Sequence, residues 1–228
     1  MRWPLILSLL LNAVLVVALV VIGGRANRVV SGLIDHAQKA KERRVDAMNA
    51  TRVGSADIVL LGDSLTWEGS WDEYFPNQQV VNRGVGGDQV DDLAARFDAV
   101  VAHDPGQLVF MAGINDLNFG RDVRAIIQSY ESLFDRIDTD LPGTAVVLQS
   151  VLPTNGDWVI AVDPADVEAL NHYLWAEAAE RGWRYLDLTP LFSDEQGQLT
   201  EELSNDGIHL KGEGYRIWRD ALGPILVE

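Results

Sequence analysis

Five short, nearly uninterrupted apolar runs punctuate the chain between residues 57 and 188. They are Asp57-Ile58-Val59-Leu60-Leu61-Gly62, Gln79-Val80-Val81-Asn82, Gln107-Leu108-Val109-Phe110-Met111-Ala112, Thr144-Ala145-Val146-Val147-Leu148-Gln149 and Arg184-Tyr185-Leu186-Asp187-Leu188. Runs this short, without polar–apolar alternation, fit strands buried on both faces. Amphipathic stretches separate them, at about 89–101, 122–138 and 164–181, and a last one covers about 213–222. Strands alternating with helices predict a three-layer α/β/α domain around a five-stranded parallel sheet. A chain of 228 residues with 47% hydrophobic and 23% charged residues has the composition of one folded domain rather than of a disordered chain. In such sheets reactive groups lie in loops beyond the carboxyl ends of the strands, so those loops are where chemistry is to be sought.

The first run ends in Gly62-Asp63-Ser64-Leu65. A serine at a strand-to-helix turn is exposed at the sheet edge and becomes a nucleophile once a base takes its proton. The same triplet also reads as a helix cap. The second run leads into Asn82-Arg83-Gly84-Val85-Gly86-Gly87-Asp88, where a glycine N–H can donate to an oxyanion or simply turn the chain. The spacing is not G-x-G-x-x-G and no P-loop lysine follows, which argues against a nucleotide site. The third run ends in Gly113-Ile114-Asn115-Asp116, whose asparagine amide is a second oxyanion donor or ordinary turn chemistry. Near the carboxyl end stands Asp206-Gly207-Ile208-His209. Of the four histidines, His36 lies in a charged N-terminal stretch, His103 follows a helix and His172 falls inside one. Only His209 sits in a loop with a carboxylate three residues away, which can orient its ring.

Taken in order, Gly-Asp-Ser-Leu, Gly-Gly-Asp, Gly-x-Asn-Asp and Asp-x-x-His resemble the four sequence blocks of the SGNH (GDSL-like) lipase/esterase family over about residues 53–228. The resemblance implies a flavodoxin-like SGNH hydrolase fold. It implies Ser64 as nucleophile, His209 as general base and then acid, and Asp206 as the residue that orients it. The oxyanion donors would be the N–H of Ser64, the N–H of Gly87 and the side chain of Asn115. Ile114 stands where the family often has threonine. Neither a metal nor an organic cofactor is expected, and the chain has no H-E-x-x-H zinc motif. Asp63, Trp67, Asn118 and Trp158 are the candidates for substrate contact, and Trp71 and Phe119 are further aromatic residues near the motifs.

Residues Trp3 to Ile22 carry no charge, a length close to the roughly 20 residues that span a bilayer as a helix. No clear small-x-small cleavage site follows. The expected organisation is a membrane anchor or signal segment over 1–24, a charged helical stem over 25–52 and a hydrolase domain over 53–228. Flanking Arg25, Arg28, Lys39 and Lys41 would place the C-terminal side in the cytoplasm by charge counting, yet large domains often translocate regardless. An extracytoplasmic catalytic domain is the expectation. The net charge of −16 argues against a nucleic-acid partner. The absence of cysteine excludes disulfides, thiolate metal sites and a cysteine nucleophile.

The expected function is a membrane-tethered serine esterase acting on carboxylic acyl or acetyl esters, with a small-molecule or lipid ester as substrate. Two alternatives stay open: an O-acyltransferase acting on cell-envelope polysaccharide, and a non-catalytic membrane-tethered binding module. The sequence leaves the oligomeric state undetermined.

Overall fold

The computed structural model of the chain describes residues 3–51, 54, 58–102, 104–156 and 162–226, with side chains from residue 22 onward. It divides into two compact units, residues 1–46 and 47–228.

Helix α1 runs from Trp3 to Asn49 without interruption, through Gly23-Gly24. Two glycines cost a helix only about 1 kcal/mol each relative to alanine, and the helix formers after them carry it through. The i,i+4 contacts Lys39–Asp35 at 2.7 Å and Gln38–Glu42 at 3.4 Å lie along its exposed side. Among the described residues no helix is long and apolar enough to cross a membrane. The expected anchor, apart from Ile22, falls on side chains outside the described residues.

The second unit is built on five parallel strands, β1 (Ile58–Gly62), β2 (Val80–Gly84), β3 (Gln107–Met111), β4 (Ala145–Gln149) and β5 (Arg184–Leu186), in the order β2-β1-β3-β4-β5. Short helices α2 (Ser64–Glu68) and α3 (Trp71–Tyr74) follow β1. Helices α4 (Val90–Ala95) and α5 (Asp98–Val101) follow β2, and α6 (Ile114–Asn118) and α7 (Val123–Asp140) follow β3. Then come α8 (Pro164–Glu180), α9 (Thr189–Phe192) and α10 (Gly212–Leu222). The single helix expected over 89–101 is two: α4 stops at its C-cap Arg96, where the backbone leaves the helical conformation, and the Arg96 side chain bonds Asp88 and the Gly62 carbonyl.

The pleat sends neighbouring residues of a strand to opposite faces. Phe110 packs on Phe134 of α7, with ring centroids 6.0 Å apart. Gln107, of opposite parity, donates to the Ile225 carbonyl beyond α10. On that second face Trp71 of α3 meets Trp218 of α10 edge-on at 4.9 Å, and the Trp218 indole N–H donates to Gln149 Oε1 at 2.6 Å. Both faces of the sheet are therefore covered, as its all-apolar strands require. From β1 the chain passes first to β2 on one side and then to β3 on the other. The crevice at that switch point, above the carboxyl ends of β1 and β3, is where ligands bind in sheets of this kind.

Candidate active site

The strand ladder ends at the pairs Gly62↔Gly84 and Gly62↔Met111. Beyond it Asp63 caps α2, its Oδ1 accepting from the Leu65 N–H at 2.9 Å, and Ser64 is the first helical residue. The helix sits directly on the strand ends. A side chain at Gly84 would place its Cβ 2.2 Å from the Trp67 nitrogen, so only hydrogen fits there. A five-residue helix is far too short to persist alone. Its carbonyls are held by side chains: Thr66 O accepts from Trp71 Nε1 (2.7 Å) and Asn82 Nδ2 (2.9 Å), and Leu65 O accepts from the Tyr215 hydroxyl (2.8 Å).

The loop before α10 carries His209. Ser204 and Leu210 pair across its mouth as an isolated antiparallel bridge. Inside it, Ser204 Oγ accepts from the Gly207 N–H at 2.9 Å, while Asp206 Oδ1 accepts from the N–H groups of Ile208 (3.0 Å) and His209 (2.8 Å). The other Asp206 oxygen lies 2.7 Å from His209 Nδ1, and His209 Nε2 lies 2.9 Å from Ser64 Oγ. Burial pushes the Asp206 carboxyl up, but the His209 ring and the Ile208 and His209 N–H groups outweigh it and hold Asp206 at about 2. An ionised Asp206 accepts and cannot donate, so Nδ1 carries the proton and Nε2 presents its lone pair to the Ser64 hydroxyl.

The expected oxyanion donors lie on the same rim. Asp88 N–H donates to Val85 O at 3.3 Å, closing a turn in which Gly87 has φ +75°, the conformation a type II turn asks of its third residue. Asn115 stands in α6, and its Nδ2 donates to the Asp88 carbonyl at 2.9 Å. An amide nitrogen has two hydrogens, so this bond orients the group and leaves one donor.

Asp63 corrects an expectation. It is fully buried, and its two oxygens point into the protein, one to the Leu65 N–H and one to no partner. Asp63 is therefore enclosed by the protein and does not face a substrate. Burial pushes its carboxyl up to about 7, opposed by the Leu65 N–H and reinforced by nearby Asp88. Between about 4 and 7 the folded chain holds a proton at Asp63 that the unfolded chain has released. The contribution of this group to stability therefore declines as pH rises through that window. Asp206 has the opposite sign, its contribution being lost as pH falls from about 4 to about 2. Asp63→Asn keeps the cap acceptor and removes the proton. Urea unfolding of this variant at pH 4.5 and pH 7.5 (roughly either side of the middle of the window) is expected to show a smaller loss of stability with rising pH than wild type. An equal loss would refute the assignment.

Of the other candidate contacts, Trp67 is 45% exposed and its ring covers Gly86. Asn118 is half-buried with an unpartnered Oδ1, and the neighbouring Phe119 is exposed. Trp71 is a core residue, stacked on Phe75 and edge-on to Tyr215 and Trp218. Trp158 lies outside the described residues. A cavity of ≈ 1060 Å³ opens between Pro153-Thr154, the first half of α8, β5 and residues 193–197, and neither Ser64 nor His209 lines it. Among the described residues no group of three or more histidine and acidic side chains is placed to hold a metal ion.

Several residues that shape the site went unread in the sequence. Asn82 caps α2, and Arg96 reaches Asp88 and Gly62 O. Asn155 donates its N–H to Gly207 O at 2.8 Å and its Nδ2 to Leu199 O at 3.0 Å, tying the segment after β4 to the His209 loop. Their signal was weak: Asn82 and Asn155 are polar residues beside glycine-rich turns, a common setting for turn chemistry, and Arg96 reads as one more polar position of an amphipathic stretch.

Comparison with known proteins bears on what such a rim does. A family model described as the GDSL-like Lipase/Acylhydrolase family matches residues 60–217. No curated protein matches the chain. Among solved structures, a provisionally described platelet activating factor of Streptococcus pneumonia is 24% identical with a TM-score of 0.78, covering 87% of this chain and 98% of its own. A GDSL-like lipase of Bacteroides thetaiotaomicron is 22% identical with a TM-score of 0.72, over 82% of this chain and 97% of its own. A carbohydrate esterase family 3 protein of Talaromyces cellulolyticus is 22% identical with a TM-score of 0.58, over 75% and 95%. At these identities the likeness is one of fold.

Proposed function

Because the chain belongs to the GDSL-like lipase/acylhydrolase family, we propose that it is a serine ester hydrolase working through an acyl-enzyme on Ser64. The observation that carries this reading is the 2.9 Å approach of His209 Nε2 to Ser64 Oγ, across 145 residues of chain, with Asp206 2.7 Å from the other ring nitrogen. His209 takes the Ser64 proton as the oxygen attacks an ester carbonyl. The resulting imidazolium is stabilised by Asp206. The N–H groups of Ser64 and Gly87 and the free hydrogen of Asn115 Nδ2 receive the charge on the carbonyl oxygen. Removing one donor of this kind typically costs about 2.7–4 kcal/mol of barrier. His209 then protonates the leaving alcohol, and water, activated by the same ring, releases the acid.

The acyl group is best accommodated beside Trp67 and Phe119, the exposed aromatic residues that follow Ser64 and Asn115 in the chain. The test is to incubate the full chain with p-nitrophenyl esters of increasing acyl length and with a fluorophosphonate probe. Hydrolysis together with labelling confined to Ser64 supports the reading. No hydrolysis and no labelling leaves a binding module, and acyl transfer to an added sugar in place of hydrolysis would identify a transferase.

The same reading tethers the enzyme to a membrane through the uncharged stretch Trp3–Ile22, with the catalytic unit outside the cytoplasm. It is supported by that stretch's length and by Ile22, Val29, Val30, Leu33 and Ile34, all more than half exposed on α1 beside Arg25 and Arg28. The full chain is expected to sediment with membranes and to resist extraction by high salt, being released only by detergent. Recovery in the salt wash would reject the tether.

A further inference from the structure

Ser64, Gly87 and Asn115 all lie past the last paired residues of the sheet, Gly62, Gly84 and Met111. The ladder therefore does not set the distances among them. Oxyanion donors act only when fixed within hydrogen-bonding reach of the place where charge develops, so some other structure must hold the three loops in register.

One side chain bonds two of these loops directly and is linked to the third through Asp88. Arg96 leaves the end of α4 and is buried, with 8% of its side chain exposed. Its Nε donates to Asp88 Oδ2 at 2.6 Å, and its second terminal nitrogen donates to the Gly62 carbonyl at 2.9 Å. Gly62 is two residues before Ser64. Asp88 is the residue after Gly87, is wholly buried, and offers its carbonyl to Asn115 Nδ2 at 2.9 Å. The Val85 N–H also donates to Gly62 O at 3.0 Å, so the glycine loop and the Arg96 guanidinium meet at one oxygen. A second, parallel tie runs from α6 to α4, where Asp116 Oδ2 accepts from the Val90 N–H at 3.1 Å.

We propose that Arg96, through Asp88, is the positioning residue that sets the spacing of the oxyanion donors. The inference rests on the hydrolase reading above. The planar guanidinium suits the task because it presents donors in a rigid fork, which a lysine ammonium cannot reproduce. Arg96 does not touch the substrate. It acts by keeping the turn after β1, the glycine loop and the Asn115 amide at fixed separation.

The test is a cycle of Arg96→Lys, Asn115→Ala and the double variant, assayed on a p-nitrophenyl ester with wild type and Ser64→Ala beside them. Wild-type turnover that Ser64→Ala abolishes establishes the hydrolase reading independently. Given that, Arg96→Lys is expected to lower kcat by roughly tenfold or more, with KM within about twofold, as for an interaction made in the transition state. Inhibition by a trifluoromethyl ketone, which mimics the tetrahedral state, is expected to weaken by the same factor. The double variant is expected to lose less than the product of the two single losses, because both changes act on the same donor set. Unchanged kcat, or losses that multiply in the double variant, would overturn the proposal. Should Arg96→Lys fail to fold, Asp88→Asn is read by the same criteria: it keeps the backbone carbonyl that orients Asn115 and removes the carboxylate that Arg96 grips.

Discussion

Ser64→Ala is expected to reduce kcat/KM on a p-nitrophenyl ester by roughly 10⁴- to 10⁶-fold, His209→Ala by a comparable factor, and the double variant by no more than the worse single change. Groups that act as a unit fail as a unit: once the nucleophile is gone the base has nothing to deprotonate, and what is left is the contribution of binding and the oxyanion donors. The protein itself is expected to survive. The Ser64 hydroxyl meets His209 Nε2 at 2.9 Å, while the turn and α2 are held by Asp63, Trp71, Asn82 and Tyr215. Alanine is a good helix former, so urea unfolding of Ser64→Ala is expected to match wild type within about 1 kcal/mol. Kinetics and unfolding measured on the same preparations separate catalysis from folding. Turnover near wild type in either single variant, or losses that multiply in the double, would remove the case for a Ser64–His209 couple.

Gly207→Ala is expected to damage both activity and stability. Gly207 has φ +82°, and a Cβ there would fall 1.2 Å from the Asn155 carbonyl oxygen, a backbone atom with no side-chain freedom to retreat. A non-glycine residue in such a conformation costs on the order of 1–3 kcal/mol, and relieving the contact must also stretch the 2.8 Å bond from Asn155 N–H to Gly207 O. That bond anchors the loop carrying Asp206 and His209, so the imidazole moves with it. Misplacement of a catalytic group by about 1 Å can cost roughly 10² in rate, and kcat is expected to fall by about that factor. Gly197→Ala is the control. Gly197 also has a positive φ, +75°, but a Cβ there would meet nothing within 4 Å, so it is expected to lower stability and leave kcat alone. Wild-type kcat in Gly207→Ala would show that the Asn155 contact does not position His209.

The strands were readable because their signal is local. Runs such as Ile58–Gly62 and Gln107–Met111 are apolar on both sides, and their observed bounds fall within a residue or two of those expected. The break in the helix after β2 was not readable. It falls at Arg96, whose side chain bonds a carbonyl 34 residues away, and no amphipathic period encodes either. Asp63 shows the same limit at the site. Adjacency to Ser64 made it look available to substrate, whereas Asp63 is fully buried and caps α2, and it is Ser64 Oγ that meets His209 Nε2. The tryptophans divided for a related reason: composition places aromatic residues near the motifs, but only packing decides that Trp71 joins the core while Trp67 stays exposed.

The sequence alone determined the alternation that builds a parallel sheet and the identity and order of the motif residues at its carboxyl edge, because both follow from short-range hydrophobic pattern and side-chain chemistry. Tertiary structure alone decided that His209 comes within 2.9 Å of Ser64, that Asn155 and Gly207 lock the loop that brings it there, and that Arg96 spans the gap between Gly62 and Asp88. Those contacts join residues far apart along the chain, and their geometry is set by how the loops pack beyond the last strand hydrogen bond, where no periodic pattern governs the backbone.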